Sequence, residues 1–94
     1  METVNATIRK EDFGSAGSRR LIAKGFLPAE MYSGSENIHI VLNAHDFDLQ
    51  LRKIAIGSEC EVSVEGKAYK CILKDLQENI MKGILVHADF QIVK

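Results

Sequence analysis

Residues 59–76 read Glu-Cys-Glu-Val-Ser-Val-Glu-Gly-Lys-Ala-Tyr-Lys-Cys-Ile-Leu-Lys-Asp-Leu, two alternating runs separated by Glu65-Gly66. This pattern is typical of two antiparallel strands joined by a two-residue turn, so it predicts a β-hairpin. Counting outward from the turn places Cys60 opposite Cys71. Residues directly opposite each other in such a pair have Cα atoms about 5.5 Å apart. This distance would allow a disulfide, but the cytosol keeps thiols reduced. We therefore expect two small buried hydrophobic side chains with free thiols.

The same alternation of apolar and polar residues recurs in residues 3–9, 37–42 and 84–93. It indicates strands with one face in the core and one in solvent. The residues predicted to face inward are Val4, Ala6, Ile8, Ile38, Ile40, Leu42, Ala88, Phe90 and Ile92. Residues 30–32 predict a further short strand before a Ser-Gly-Ser turn, which makes about six strands in all.

Two short helices are predicted between these strands. Ser18 is a good N-cap for the first, which should end at Lys24 because Gly25 and Pro28 follow. Asn43 is a good N-cap for the second, which has an apolar stripe and should end at Gly57. Strands and helices do not alternate regularly, so we expect a mainly β, α+β fold, an antiparallel β-barrel or curled sheet with helices at its edges.

The chain has 94 residues and a formal net charge of −1. The net charge alone argues against binding of nucleic acid. The charges are unevenly distributed, however. Residues 9–24 hold five basic and two acidic side chains, and residues 30–65 hold two basic and seven acidic ones. One basic face could therefore bind RNA while an acidic face stays in water. We expect a single domain spanning residues 1–94 in the cytoplasm, because no apolar run or secretory leader is evident.

The segment Gly17-Ser18-Arg19-Arg20 carries the strongest functional signal. With Ser18 as N-cap, both arginines fall in the first helical turn, where the helix dipole disfavours a cation. A bound phosphate would relieve this and would also accept hydrogen bonds from the free backbone N–H groups. The alternative interpretation is that the two arginines lie on an ordinary solvated helix surface and that the glycines only form a turn.

His87 and Asp89 lie two residues apart and so project from the same face of the last strand. They could contact base edges or 2′-hydroxyl groups, or they could be a surface histidine with a carboxylate neighbour. Tyr32 could stack on a base or be half-buried core. The histidines and cysteines lack the spacing of a zinc site, and no nucleophile accompanies His87. We expect neither an enzyme nor a cofactor or metal.

Five segments in the same order resemble the bacterial large-subunit ribosomal protein family L-twenty-five, which binds 5S ribosomal RNA. They are Asn-Ala-Thr-Ile-Arg-Lys-Glu at residues 5–11, Gly-Ser-Arg-Arg-Leu at 17–21, Phe-Leu-Pro-Ala through Tyr and Gly at 26–34, Lys-Asp-Leu-Gln at 74–77 and His-Ala-Asp-Phe at 87–90. Together they cover nearly the whole chain.

The resemblance implies a six- to seven-stranded antiparallel barrel with two or three short helices that docks on the loop E region of 5S rRNA. The candidate RNA-binding residues are Arg9, Lys10, Ser15, Gly17, Ser18, Arg19, Arg20, Tyr32, Lys82, His87 and Asp89. Other components of the large subunit are expected partners on the cytoplasmic ribosome, without a membrane or a small-molecule substrate. The free protein is expected to be a monomer, and closure of the barrel could place the first and last strands side by side.

The sequence departs from the family pattern at two places. Residues 14–17 are Gly-Ser-Ala-Gly, where the family often has Gly-Lys-Gly, and residues 78–80 are Glu-Asn-Ile, where basic residues are usual. Both changes remove positive charge from the expected RNA surface. The alternative is therefore a protein-interaction or general-stress-type barrel with weakened RNA binding. Longer members of the family carry a second domain, and we expect this chain to correspond to the short form. We expect residues 13–17 to be mobile without RNA.

Overall fold

The computed structural model describes residues 2–10 and 14–93, and of Ser15 only the backbone. Within these residues the chain forms six strands and two helices. In chain order they are β1 (Thr3–Ile8), α1 (Gly14–Ala23), β2 (Phe26–Ser33), β3 (Glu36–Asn43), α2 (Ala44–Gln50), β4 (Glu59–Val64), β5 (Lys67–Asn79) and β6 (Ile84–Ile92). Neither helix has the length and apolarity needed to cross a bilayer.

The six strands close into a barrel in the order β1-β3-β2-β6-β5-β4, which confirms the predicted mainly β class. Four of the neighbouring pairs are antiparallel, but β1 pairs with β4 and β2 with β6 in parallel. The prediction that the first and last strands lie side by side is wrong. β1 lies between β3 and β4, and β6 lies between β2 and β5. The two parallel pairings produce this strand order, because each joins strands that are distant in sequence and are not connected by a short turn.

The barrel interior is apolar and closely matches the inward positions predicted from the alternation. Val4, Leu42 and Phe90 are at most 1% exposed, and Phe90 meets Phe47 edge to face with ring centroids 5.9 Å apart. Ile8 is an exception, with 43% of its surface exposed. β1 pairs with β4 only as far as Ala6, so Ile8 lies beyond the edge of that neighbour.

The hairpin of β4 and β5 has the predicted register. Cys60 pairs with Cys71 across the strands, and both are fully buried with free thiols, as expected. Burial raises the pKa of the Cys60 thiol to about 11. Burial, followed by the proximity of Cys60, raises the pKa of Cys71 to about 12. Both thiols are therefore neutral, weakly reactive core side chains at physiological pH.

Alkaline pH should destabilise this protein through the two thiols. In the unfolded chain a thiol ionises near pH 8.5, whereas in the fold it stays protonated, so its contribution is full below about pH 8.5 and is lost as pH rises towards the folded pKa values. The expected loss is on the order of 1–2 kcal/mol per thiol at pH 10. Denaturant unfolding at pH 8 and pH 10 measures it. The Cys60→Ala/Cys71→Ala variant should lose less stability over this interval, and an equal loss would contradict the assignment.

One end of each helix differs from the sequence prediction. The N-cap of α2 is confirmed, since the Asp46 backbone N–H donates to Asn43 Oδ1 at 3.0 Å, but the helix ends at Gln50 rather than near Gly57. α1 begins at Gly14, four residues before Ser18, so Ser18 lies inside the helix and is not its N-cap. Residues 14–17 are therefore helical rather than loop, while the rest of the predicted loop at residues 11–13 lies outside the described residues.

Candidate nucleic-acid interface

The position of α1 changes the meaning of its two arginines. Arg19 and Arg20 occupy the sixth and seventh positions of a ten-residue helix, and Arg20 belongs to the last turn. A cation near the C-terminus of a helix is favoured by the dipole rather than disfavoured. The argument that these arginines require an anion at a helix N-terminus is therefore wrong. Their relation to RNA depends instead on what the surface of α1 faces.

The outer surface of the barrel carries a row of polar side chains across neighbouring strands. Arg9, just after β1, donates its backbone N–H to the His39 carbonyl of β3 at 2.9 Å. His39 pairs with Glu30 of β2, and Glu30 pairs with Asp89 of β6. Asp89 in turn pairs with Asp75 of β5. We call these five residues the polar row. It starts with a cation and ends with carboxylates.

Two histidine–carboxylate contacts order the middle of the polar row. His39 Nδ1 lies 3.3 Å from Glu30 Oε1, and these side chains are 42% and 34% exposed. His87 Nδ1 lies 3.2 Å from Asp89 Oδ1, with exposures of 27% and 28%. The predicted projection of His87 and Asp89 from one strand face agrees with this contact. Both pairs are half-buried, so they remain accessible to a ligand.

An open groove of about 660 Å³ lies between α1 and the polar row. Arg9 Nη2 donates to Ser18 Oγ at 3.4 Å, a contact that joins the end of β1 to the helix. The residues that line the groove are Arg9, Gly14, Ser18, Arg19, Ile22, Glu30, His39, Gln77, Val86 and His87. The structure therefore brings four of the predicted site residues into one cleft, although they are far apart in sequence.

Tyr32 lies on β2 next to the acidic end of the polar row and is half-buried. Burial raises the pKa of its hydroxyl, and the negative charges of Asp89 and Asp75 raise it further. The phenol is therefore a neutral hydrogen-bond donor at physiological pH. Its intermediate burial fits either interpretation that the sequence left open.

The remaining predicted residues lie away from the groove lining. Lys10 follows β1, Arg20 lies on α1, and Lys82 lies in the turn between β5 and β6; all three are exposed. Gly17 is buried within α1 and offers little surface to a ligand. The side chain of Ser15 lies outside the described part of the chain.

Sequence reasoning missed three polar groups of the groove, namely Glu30, His39 and Gln77. The alternation of β3 did contain a signal for His39, because inward Ile38 and Ile40 leave residue 39 outward. No local signal could place Glu30 beside Asp89, since that contact depends on the parallel pairing of β2 with β6.

A sequence profile of the Ribosomal L25p family matches residues 4–90, nearly the whole chain. The chain belongs to the Ribosomal L25p family. The matched segment includes all eleven of the candidate RNA-binding residues, the groove and every strand except the last positions of β6 and the first of β1.

Curated relatives in the Ribosomal L25p family support the same assignment. The protein from Leifsonia xyli subsp. xyli, named large ribosomal subunit protein bL25, is 34% identical over 86 residues, which cover 90% of this chain and 42% of the relative. The proteins of the same name from a Thermoanaerobacter species and from Caldanaerobacter subterraneus subsp. tengcongensis are each 30% identical over 93 residues, or 97% of this chain and 46% and 47% of their own lengths. The chain therefore spans less than half the length of these relatives.

Proposed function

We propose that this protein is a structural, non-catalytic component of the large ribosomal subunit in the cytoplasm and that it binds 5S rRNA through the groove between α1 and the polar row. Membership of the Ribosomal L25p family supports the ribosomal role. The observation that carries the choice of surface is that Arg9, Ser18, Arg19 and His87 line one cleft.

The two ends of the groove suit different parts of an RNA strand. Arg9 and Arg19 supply guanidinium groups, which bind phosphate oxygens in a bidentate manner. The Arg9–Ser18 contact holds one guanidinium in place before RNA arrives, which reduces the entropy lost on binding. Phosphates should therefore lie along α1 and the end of β1.

The carboxylates of the polar row should contact donors rather than phosphates. Glu30 and Asp89 would repel a phosphate, but they can accept from 2′-hydroxyl groups and from base amino groups. Neutral Tyr32 could donate to the same strand or stack on a base. The cations at one side of this surface would hold the RNA backbone. The acceptors at the other side would then contact the 2′-hydroxyl groups and base edges of the same stretch of RNA.

A gel-shift titration with a 5S rRNA fragment that contains loop E tests this function. Because phosphate contacts release counterions, log affinity should fall linearly with log salt, by roughly 0.7–0.9 per contact. The matched control is the DNA duplex of the same sequence, which lacks 2′-hydroxyl groups and should bind more weakly. No RNA binding at low salt, or equal affinity for RNA and DNA, would overturn the proposal.

A further inference from the structure

We infer that Glu30, His87 and Asp89 form a binding site for a divalent transition-metal ion such as Zn²⁺ or Co²⁺ on the outside of the barrel. One ligand atom from each of the three side chains lies within 4.8 Å of the other two. The inference goes beyond RNA binding and is tested on the protein alone.

The chemistry of these three groups suits a transition metal rather than Mg²⁺. An imidazole with two carboxylates is a donor set found around zinc and other first-row divalent ions, whereas Mg²⁺ prefers oxygen ligands and several waters. In tetrahedral zinc sites bonds of ~2.0–2.1 Å place ligand atoms about 3.4 Å apart, so ligand atoms that lie up to 4.8 Å apart need to approach by at most about 1.4 Å. All three are half-buried, so an ion from solvent can reach them.

The sheet holds these ligands in place through backbone pairing. Glu30 and Asp89 are direct partners on β2 and β6, and His87 lies two residues before Asp89 on the same face. Because β6 is hydrogen-bonded to β2 on one side and β5 on the other, the positions do not depend on a flexible loop.

The electrostatics of the polar row give an independent reason to expect a cation. Glu30, Asp89 and Asp75 are consecutive cross-strand partners on three adjacent strands. Like charges directly opposite each other destabilise a sheet. In this row His39 contacts Glu30 and His87 contacts Asp89, so no histidine lies against Asp75 in these two contacts. A divalent ion between Glu30 and Asp89 would neutralise two of the three charges.

His39 should act as a positioning residue for this site. Its Nδ1 lies 3.3 Å from Glu30 Oε1, so it can orient the carboxylate while the other oxygen binds the ion. Partners of metal ligands commonly change affinity by about 10–100-fold. The His39→Ala variant should therefore bind the metal more weakly than the wild type, but still measurably.

The test is a titration of the purified protein with Co²⁺, followed by its visible absorption, with Zn²⁺ and Mg²⁺ as competitors. We expect one equivalent of Co²⁺ to bind, Zn²⁺ to displace it, and Mg²⁺ to leave it bound at similar concentration. His87→Ala and Asp89→Asn should each weaken binding more than ~10-fold, which exceeds the smallest effect expected of an outer partner. The matched control is His45→Ala, which removes an exposed histidine on α2.

Three results would overturn the inference. One is the absence of Co²⁺ absorption at saturating metal, and another is equal weakening by His45→Ala and His87→Ala. A third is an intense near-ultraviolet charge-transfer band, which would show that the metal binds the thiols instead. Circular dichroism of each variant establishes that the barrel is folded. RNA is absent from the titration, so a failure of the proposed ribosomal function would leave the outcome of this test unchanged.

Discussion

Replacing Phe90 with alanine is expected to lower the free energy of unfolding by about 3–5 kcal/mol. Phe90 is fully buried on β6 and its ring packs edge to face on Phe47 of α2, with centroids 5.9 Å apart and planes at 63°. The substitution removes the ring's burial and leaves a cavity between the barrel and the helix. Small domains have only about 5–15 kcal/mol of stability in total, so this variant should be close to unfolding at 37 °C.

Denaturant unfolding followed by far-ultraviolet circular dichroism measures this effect. The matched control is Phe26→Ala, which makes the same chemical change at a position 40% exposed on β2. It should cost about 1 kcal/mol or less, because much of that ring already contacts water. Similar losses for the two variants would contradict the arrangement of the core.

Replacing both Arg9 and Arg19 with alanine is expected to weaken binding of the 5S rRNA fragment roughly 100-fold at moderate salt. Each guanidinium supplies a charge-assisted hydrogen bond worth about 1.5 kcal/mol, so two lost contacts account for this factor. The salt dependence should also become shallower, by about 1.4–1.8 in the log–log slope. Gel-shift titrations of wild type and variant at several salt concentrations provide both numbers.

Arg52→Ala is the control for charge alone. Arg52 is exposed just beyond α2 and lies beside Glu2 and Lys53, outside the groove. Arg52→Ala changes the net charge by one unit, as Arg9→Ala or Arg19→Ala alone would. It removes no contact in the groove. If Arg52→Ala reduces affinity as much as Arg19→Ala, binding depends on overall charge and the assigned groove is wrong.

Local chemistry explains the parts of the fold that the sequence predicted well. The Glu65-Gly66 turn determines the register of β4 against β5, because a two-residue loop allows only one set of partners. The Asn43 cap is equally local, since its side chain bonds a backbone N–H three residues away. Alternation then predicted most of the barrel interior, including Val4 and Phe90.

Contacts between distant segments explain the parts that were missed. Gly14 and Gly17 are poor helix formers, so the sequence favoured a loop there, yet α1 begins at Gly14 and packs on β2. The parallel pairing of β2 with β6 joins segments more than fifty residues apart, and no short-range pattern reports it. The Glu30–Asp89 neighbourhood follows from this pairing alone.

The candidate site was predicted in part for the same reason. His87 and Asp89 are two residues apart, so their shared face could be read directly from the strand period. Arg19 was selected on a helix-dipole argument that the position of α1 overturns, and its place in the groove depends instead on the packing of α1 on β2. The roles of all the candidate residues in RNA binding stay predictions.

The groove is tested most directly by mapping the RNA footprint on this 94-residue chain with nuclear magnetic resonance. Amide signals would be recorded before and after addition of one equivalent of the 5S rRNA fragment. We predict that the perturbed signals concentrate around the groove, at Arg9, Arg19, His39 and His87. Signals of the β4–β5 turn at Glu65-Gly66 should change little. Perturbations centred on that turn, with the groove unaffected, would show that RNA does not bind in the groove.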